Sequence, residues 1–161
     1  MRIAIVPGSY DPMTLGHVDI VERAAALFDQ VYVAVMMNSE KTYTFSLDKR
    51  TQIARLSCAH IANAEVVASG GLLVDLVDML KADVIVKGVR NEADFAYEQS
   101  MAYYNWEHNP RAQTVYLPCR PKLSEISSTK VREALLAGES AEGLLAPAAE
   151  AYIRSYFASK K

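Results

Sequence analysis

A chain of 161 residues, 51% hydrophobic and 22% charged, carries enough apolar material for one domain, spanning 1–161, around a single sizeable core. With 17 basic against 19 acidic residues the net charge is -2, which excludes a broadly basic nucleic-acid binder and leaves any bound anion to a few placed groups. The two cysteines, Cys58 and Cys119, lie too far apart for a disulfide framework or a zinc motif, and no apolar run reaches membrane-spanning length; a cytoplasmic protein is expected.

Residues 2–7 (RIAIVP) form an uninterrupted apolar run of buried-strand type, too short for a signal peptide. Val18, Val21, Ala25 and Phe28 then recur on one helical face over 18–28. A second strand is expected at 31–37 (VYVAVMM), followed by a helix capped by Ser46 and running to about residue 60. A short third strand at 65–68, a helix at 72–81 and a fourth strand at 83–87 (DVIVK) come next. Asn91, with Asp94 three residues on, opens a helix reaching residue 107, and 114–117 is the fifth strand. Ser127 or Ser128 caps a helix through 137, stopped by Gly138, and Pro147 opens the last one. Strands buried on both faces and joined by helices predict an α/β fold: a doubly wound, parallel five-stranded sheet with C-terminal helices and a ligand crevice at the carboxyl ends of its strands.

The first strand runs into Gly8-Ser9-Tyr10-Asp11-Pro12-Met13-Thr14-Leu15-Gly16-His17. Gly8 permits close backbone approach to a ligand, and Ser9 adds a hydroxyl. Residues 14–17 fall in the first helical turn, where unpaired N–H groups and the helix dipole favour phosphate. Gly16 leaves room for a nucleotide, and His17 offers a phosphate oxygen a hydrogen bond or a full charge.

The string resembles the G-[ST]-[FY]-D-P-x-[HT]-x-G-H signature of the nucleotidyltransferase superfamily, whose Rossmann-like fold agrees with the strand pattern. Thr14, in place of the commoner histidine, is similar to the phosphopantetheine adenylyltransferase family. The resemblance extends over nearly the whole chain, most weakly after about residue 138, and implies roles for further residues. Lys41, ahead of the Phe45-Ser46-Leu47 and Arg50 frame, contacts the reacting phosphate, whereas Arg50 reads as structural. Leu72 and Leu73, after Gly70-Gly71, line the pantetheine pocket with Asn105, and Lys87 meets the acceptor phosphate. Gly8, Ser9, Tyr10, His17, Gly88, Val89, Arg90 and Glu98 meet ATP, together with Leu123, Ser124, Glu125, Ile126, Ser127, Ser128 and Thr129. That last string departs from the commonest family form, and its ISSTxxR variant also occurs in nicotinate mononucleotide adenylyltransferases. The family further implies a hexamer and feedback inhibition by coenzyme A.

A phosphate monoester, with a second pKa of about 6, is anionic near neutral pH and needs no enzyme nucleophile. The expected reaction is therefore direct attack of 4′-phosphopantetheine on the α-phosphorus of ATP, expelling pyrophosphate. His17, Lys41 and Arg90 would stabilise developing charge while Ser9 positions the reactants. Mg²⁺ is expected on the triphosphate, with no protein metal cage. Another nucleotidyltransferase, using nicotinate mononucleotide as acceptor or a cytidylyl donor, and a non-catalytic ATP-binding module are the alternatives.

Overall fold

The computed structural model describes residues 1–160. Its strands are β1 (Ile3–Gly8), β2 (Gln30–Met36), β3 (Ala64–Ser69), β4 (Val84–Val89) and β5 (Thr114–Pro118). They are joined in turn by α1 (Leu15–Leu27), α2 (Leu47–Cys58), α3 (Leu73–Met79) and α4 (Glu92–His108); α5 (Ser128–Leu136) and α6 (Pro147–Ala158) follow. All neighbouring strands are parallel, in the order β3-β2-β1-β4-β5.

Alternating strand residues feed two cores. Ala4 and Val6 of β1, with Val31, Val33 and Val35 of β2, pack on Val21 of α1, Ile53 of α2, Val131 of α5 and Ile153 of α6. Ile3, Ile5, Ala34 and Ile85 face the other way, against Val74, Leu76 and Val77 of α3. Burial on both faces is why these strands read as continuous apolar runs. From β1 the chain winds outward to β2 and β3, then returns to β4 and β5 on the other side. The winding direction therefore reverses between β1 and β4, and the crevice opens there at the carboxyl ends.

Side-chain caps set most helix starts. Ser46 Oγ accepts from Lys49 N–H at 3.3 Å, Asn91 Oδ1 from Asp94 N–H at 2.9 Å and Ser127 Oγ from Lys130 N–H at 3.2 Å. Pro147 occupies the first turn of α6, and Gly138 follows α5 with φ +71°, a left-handed stop. Most element boundaries shift by one or two residues from the sequence expectation. α1 begins at Leu15, ahead of the apolar face that opens at Val18 and within the expected first turn, because Thr14 caps it. β4 continues past residue 87: Lys87, Gly88 and Val89 pair with Tyr116, Leu117 and Pro118 of β5, so the lysine ends the apolar run but not the ladder. Among the described residues no helix is long and apolar enough to cross a membrane.

Candidate active site

A cleft of about 1160 Å³ opens over the carboxyl ends of β1 and β4. Its walls come from the turn after β1, the loop after β2, the turn before α3, the face of α4 from Asp94 to Asn105 and the entry to α5.

Most of the turn after β1 is fixed by buried contacts. Tyr10 adopts a left-handed backbone (φ +49°), uncommon for a residue with a side chain. Its ring folds back over β1, and its hydroxyl donates to the Val6 carbonyl at 2.8 Å. That ring occupies the space beside Gly8, where a Cβ would lie 2.8 Å from it, so Gly8 is required by Tyr10 as well as by any ligand. Burial keeps the phenol protonated, its pKa far above the ordinary value. The ring also meets His17 edge-on, with centroids 5.1 Å apart.

His17 closes a capping box with Thr14, whose side chain accepts from the His17 N–H while its own N–H donates to His17 Nδ1 at 2.9 Å. A backbone N–H only donates, so Nδ1 is the acceptor and the imidazole proton sits on Nε2. Burial, followed by the nearby Arg90 and Lys87 cations, lowers the His17 pKa to about 4. At neutral pH the ring is therefore a neutral donor through Nε2–H, not the charged one that the sequence also allowed.

The neighbouring loops are tied to the same turn. Asp11 is buried, and its carboxylate accepts from Thr44 N–H at 2.8 Å and Phe45 N–H at 2.9 Å. From α5, Ser128 Oγ donates to the Pro12 carbonyl and Arg132 Nη1 to the Asp11 carbonyl, each at 2.8 Å.

Across the cleft, each β4 cation has a carboxylate from α4. Lys87 Nζ lies 3.2 Å from Glu98, and Arg90 Nε donates to Asp94 at 2.8 Å. Asp94 and Glu98 are four residues apart and share one helical face. The hydrogen bond to Asp94 is the main cause raising the Arg90 pKa, and the same bond lowers that of Asp94. Among the described residues no group of three or more His, Cys, Asp or Glu side chains has the arrangement of a metal site.

A cytidylyltransferase-like family profile matches residues 5–134. The chain is 42% identical over 155 residues to the phosphopantetheine adenylyltransferase of Symbiobacterium thermophilum, covering 96% of each chain. The chain belongs to the phosphopantetheine adenylyltransferase family. The family's enzyme from Shouchella clausii is 44% identical over 133 residues, covering 83% of this chain and 84% of the relative, and that from Limosilactobacillus fermentum is 39% identical over 145. In fold alone, a Vibrio parahaemolyticus protein described as a nicotinate-nucleotide adenylyltransferase superposes with a TM-score of 0.69 at 20% identity, over 92% of this chain and 96% of its own.

Most residues singled out from the resemblance to the phosphopantetheine adenylyltransferase family share the one cleft. Gly8, Ser9, Tyr10 and His17 line it, as do Lys41, Leu72, Leu73, Lys87, Gly88, Arg90, Glu98 and Asn105, with Leu123, Ile126, Ser127, Ser128 and Thr129 from the α5 entry. Val89, Ser124 and Glu125 fall outside its walls. Val89 is taken up by the β4 ladder, Ser124 Oγ donates to the Pro121 carbonyl within a 3-10 turn, and Glu125 is exposed and paired with Lys130 at 3.2 Å. Sequence reasoning gave no role to Arg132, the arginine of the ISSTxxR string, and it did not see the hold that Asp11 and Arg50 have on the loops. Each reaches backbone groups on segments distant in sequence.

Proposed function

We propose that this chain transfers the adenylyl group of ATP to 4′-phosphopantetheine, giving dephospho-coenzyme A and pyrophosphate. The observation that carries the reading is the Thr14/His17 capping box, which fixes a neutral Nε2–H donor opposite the Lys87 and Arg90 cations in one cleft. An acceptor phosphate oxygen attacks the α-phosphorus of ATP; the new P–O bond forms as the bond to the β-phosphate breaks, and pyrophosphate leaves. No proton need be abstracted, so the protein's task is to hold two polyanions in line and meet the charge that develops. His17 Nε2–H, Lys41 and Arg90 serve that charge, while Ser9 and the Gly8 backbone orient the reactants.

In this reading Lys87 receives the acceptor phosphate, and Leu72, Leu73 and Asn105 receive its pantetheine arm. Gly88, Arg90 and Glu98 take the nucleotide with Tyr10 and the residues at the α5 entry. Mg²⁺ travels with ATP and neutralises part of its charge. Asp94 and Glu98 are already committed to cations, which fits a metal held by phosphate and water. A cytoplasmic homohexamer inhibited by coenzyme A completes the proposal.

Pyrophosphate release assayed with ATP and a panel of phosphate acceptors tests it. Release with 4′-phosphopantetheine alone is the expected result. The ISSTKVR string favours nicotinate mononucleotide as the second reading, and release with that acceptor would replace the first. Release with none would leave an ATP-binding module.

A further inference from the structure

Arg50 lies on α2 and forms no part of the cleft wall, yet it is the largest fully buried side chain in the protein. Its guanidinium binds three backbone carbonyls: Nε donates to Phe45 at 3.1 Å, and Nη1 donates to Ser9 at 2.6 Å and to Met36 at 2.9 Å. The ring of Tyr43 covers it at 3.9 Å. Nη2 has no partner among the described residues. A buried cation given to carbonyls, with one amino group unused, is a poor choice for stability alone, since burying an incompletely satisfied charge is costly.

The three carbonyls lie at the ends of the loops that wall the cleft. Ser9 follows β1, Met36 ends β2, and Phe45 closes the loop that carries Lys41. Phe45 is gripped on both sides, its N–H by Asp11 and its carbonyl by Arg50. Tyr43 accepts the Asn38 N–H at 2.8 Å, and the Asn38 carbonyl accepts from Lys41 N–H at 3.0 Å. Both ends of the Lys41 loop are therefore set by Arg50 or by the ring lying on it. The peptide between Ser9 and Tyr10 is planar and trans, so holding the Ser9 carbonyl toward Arg50 directs the Tyr10 N–H the opposite way.

We propose that Arg50 is a positioning residue for adenylyl transfer, one that sets the Lys41 loop in register with the turn after β1. This rests on the reaction and the Lys41 role given under Proposed function.

The test measures turnover, both KM values and thermal unfolding for Arg50→Lys, Tyr43→Leu and Lys41→Ala, and for each of the first two combined with Lys41→Ala. Arg50→Lys keeps the charge but loses the fork. Its turnover is expected to fall about 10²-fold, the cost of a displacement of about 1 Å, with the KM for ATP moving less than about threefold. In the Lys41→Ala background the same change is expected to cost almost nothing more, because groups that act as one unit are not additive. Turnover within about threefold of the parent, or losses that multiply, overturns the proposal; a packing defect alone would multiply. If Arg50→Lys does not fold, Tyr43→Leu decides: about a tenfold loss that vanishes without Lys41 supports the proposal, and no loss or a multiplying loss overturns it. Full turnover in Lys41→Ala overturns both the Lys41 assignment and this proposal, whereas absence of pyrophosphate release by the parent protein overturns the reaction itself.

Discussion

The turn after β1 and the junction of β4 with α4 present polar groups to the same cleft, but they hold them by different means. In the turn, a backbone N–H fixes the His17 tautomer, the Tyr10 ring fills the space over Gly8, and a buried carboxylate ties the next loop down. At the junction, Lys87 and Arg90 are held by carboxylates that remain partly exposed. The first arrangement secures direction: its donor is neutral and has one orientation. The second secures charge while leaving it exchangeable, because an arriving phosphate can take over from Glu98 as the partner of Lys87, so that the half-buried cation is never left unpaired. A site for two polyanions benefits from both, a rigid donor where the bond changes and adjustable cations where the substrates dock.

The sharpest way to break this comparison is His17→Ala, which removes the fixed donor. Turnover in a folded variant is expected to fall roughly 10²–10³-fold, the scale of one transition-state donor, and steady-state kinetics with a check on unfolding measures it. Asp11→Ala should instead act on stability, by about 2–3 kcal/mol in urea unfolding, because the Thr44 and Phe45 N–H groups lose a charged acceptor. A third test uses pH. The native His17 imidazole titrates near 4 against 6.5 in the unfolded chain, so between those values the unfolded chain holds the extra proton. Its contribution to stability is complete above the higher value and is lost as pH falls toward the lower one. Between pH 7 and pH 5 the loss is about 2 kcal/mol, and denaturation of His17→Gln should show a correspondingly shallower fall. The smallest effect is expected from Glu98→Gln: freeing Lys87 should lower the KM for 4′-phosphopantetheine about two- to fivefold, and an unchanged value would mean that the pair is not exchangeable.

The five strands and most helix starts were legible because buried strands and capping side chains leave local marks. Ser46, Asn91 and Pro147 announce their helices within three or four residues. The extra length of β4 was not legible, since the partners that keep Gly88 and Val89 in the ladder are Leu117 and Pro118 on β5. The placement of Glu98 had the same difficulty: the family resemblance put it near the nucleotide, but its pairing with Lys87 depends on how α4 lies over β4. Thr14 was read as a marker of family, and the structure adds its physical task of aiming the ring of His17. Arg50 was read as structural within the Phe45-Ser46-Leu47 frame; that its guanidinium reaches three carbonyls is a property of the folded chain alone.

The links from α5 to the turn carry a consequence for how the protein comes into being. Pro12 and Asp11 receive their partners from Ser128 and Arg132, 116 and 121 residues later in the chain, and the Leu15 N–H donates to the Leu144 carbonyl at 2.9 Å. A ribosome therefore delivers the signature turn near the start of synthesis and the groups that pin it near the end. A nascent chain halted before α5 would own four helices and all five strands, yet its first-made site segment would still lack its clasp. The earliest chemistry-bearing residues to be translated are thus among the last to be finished.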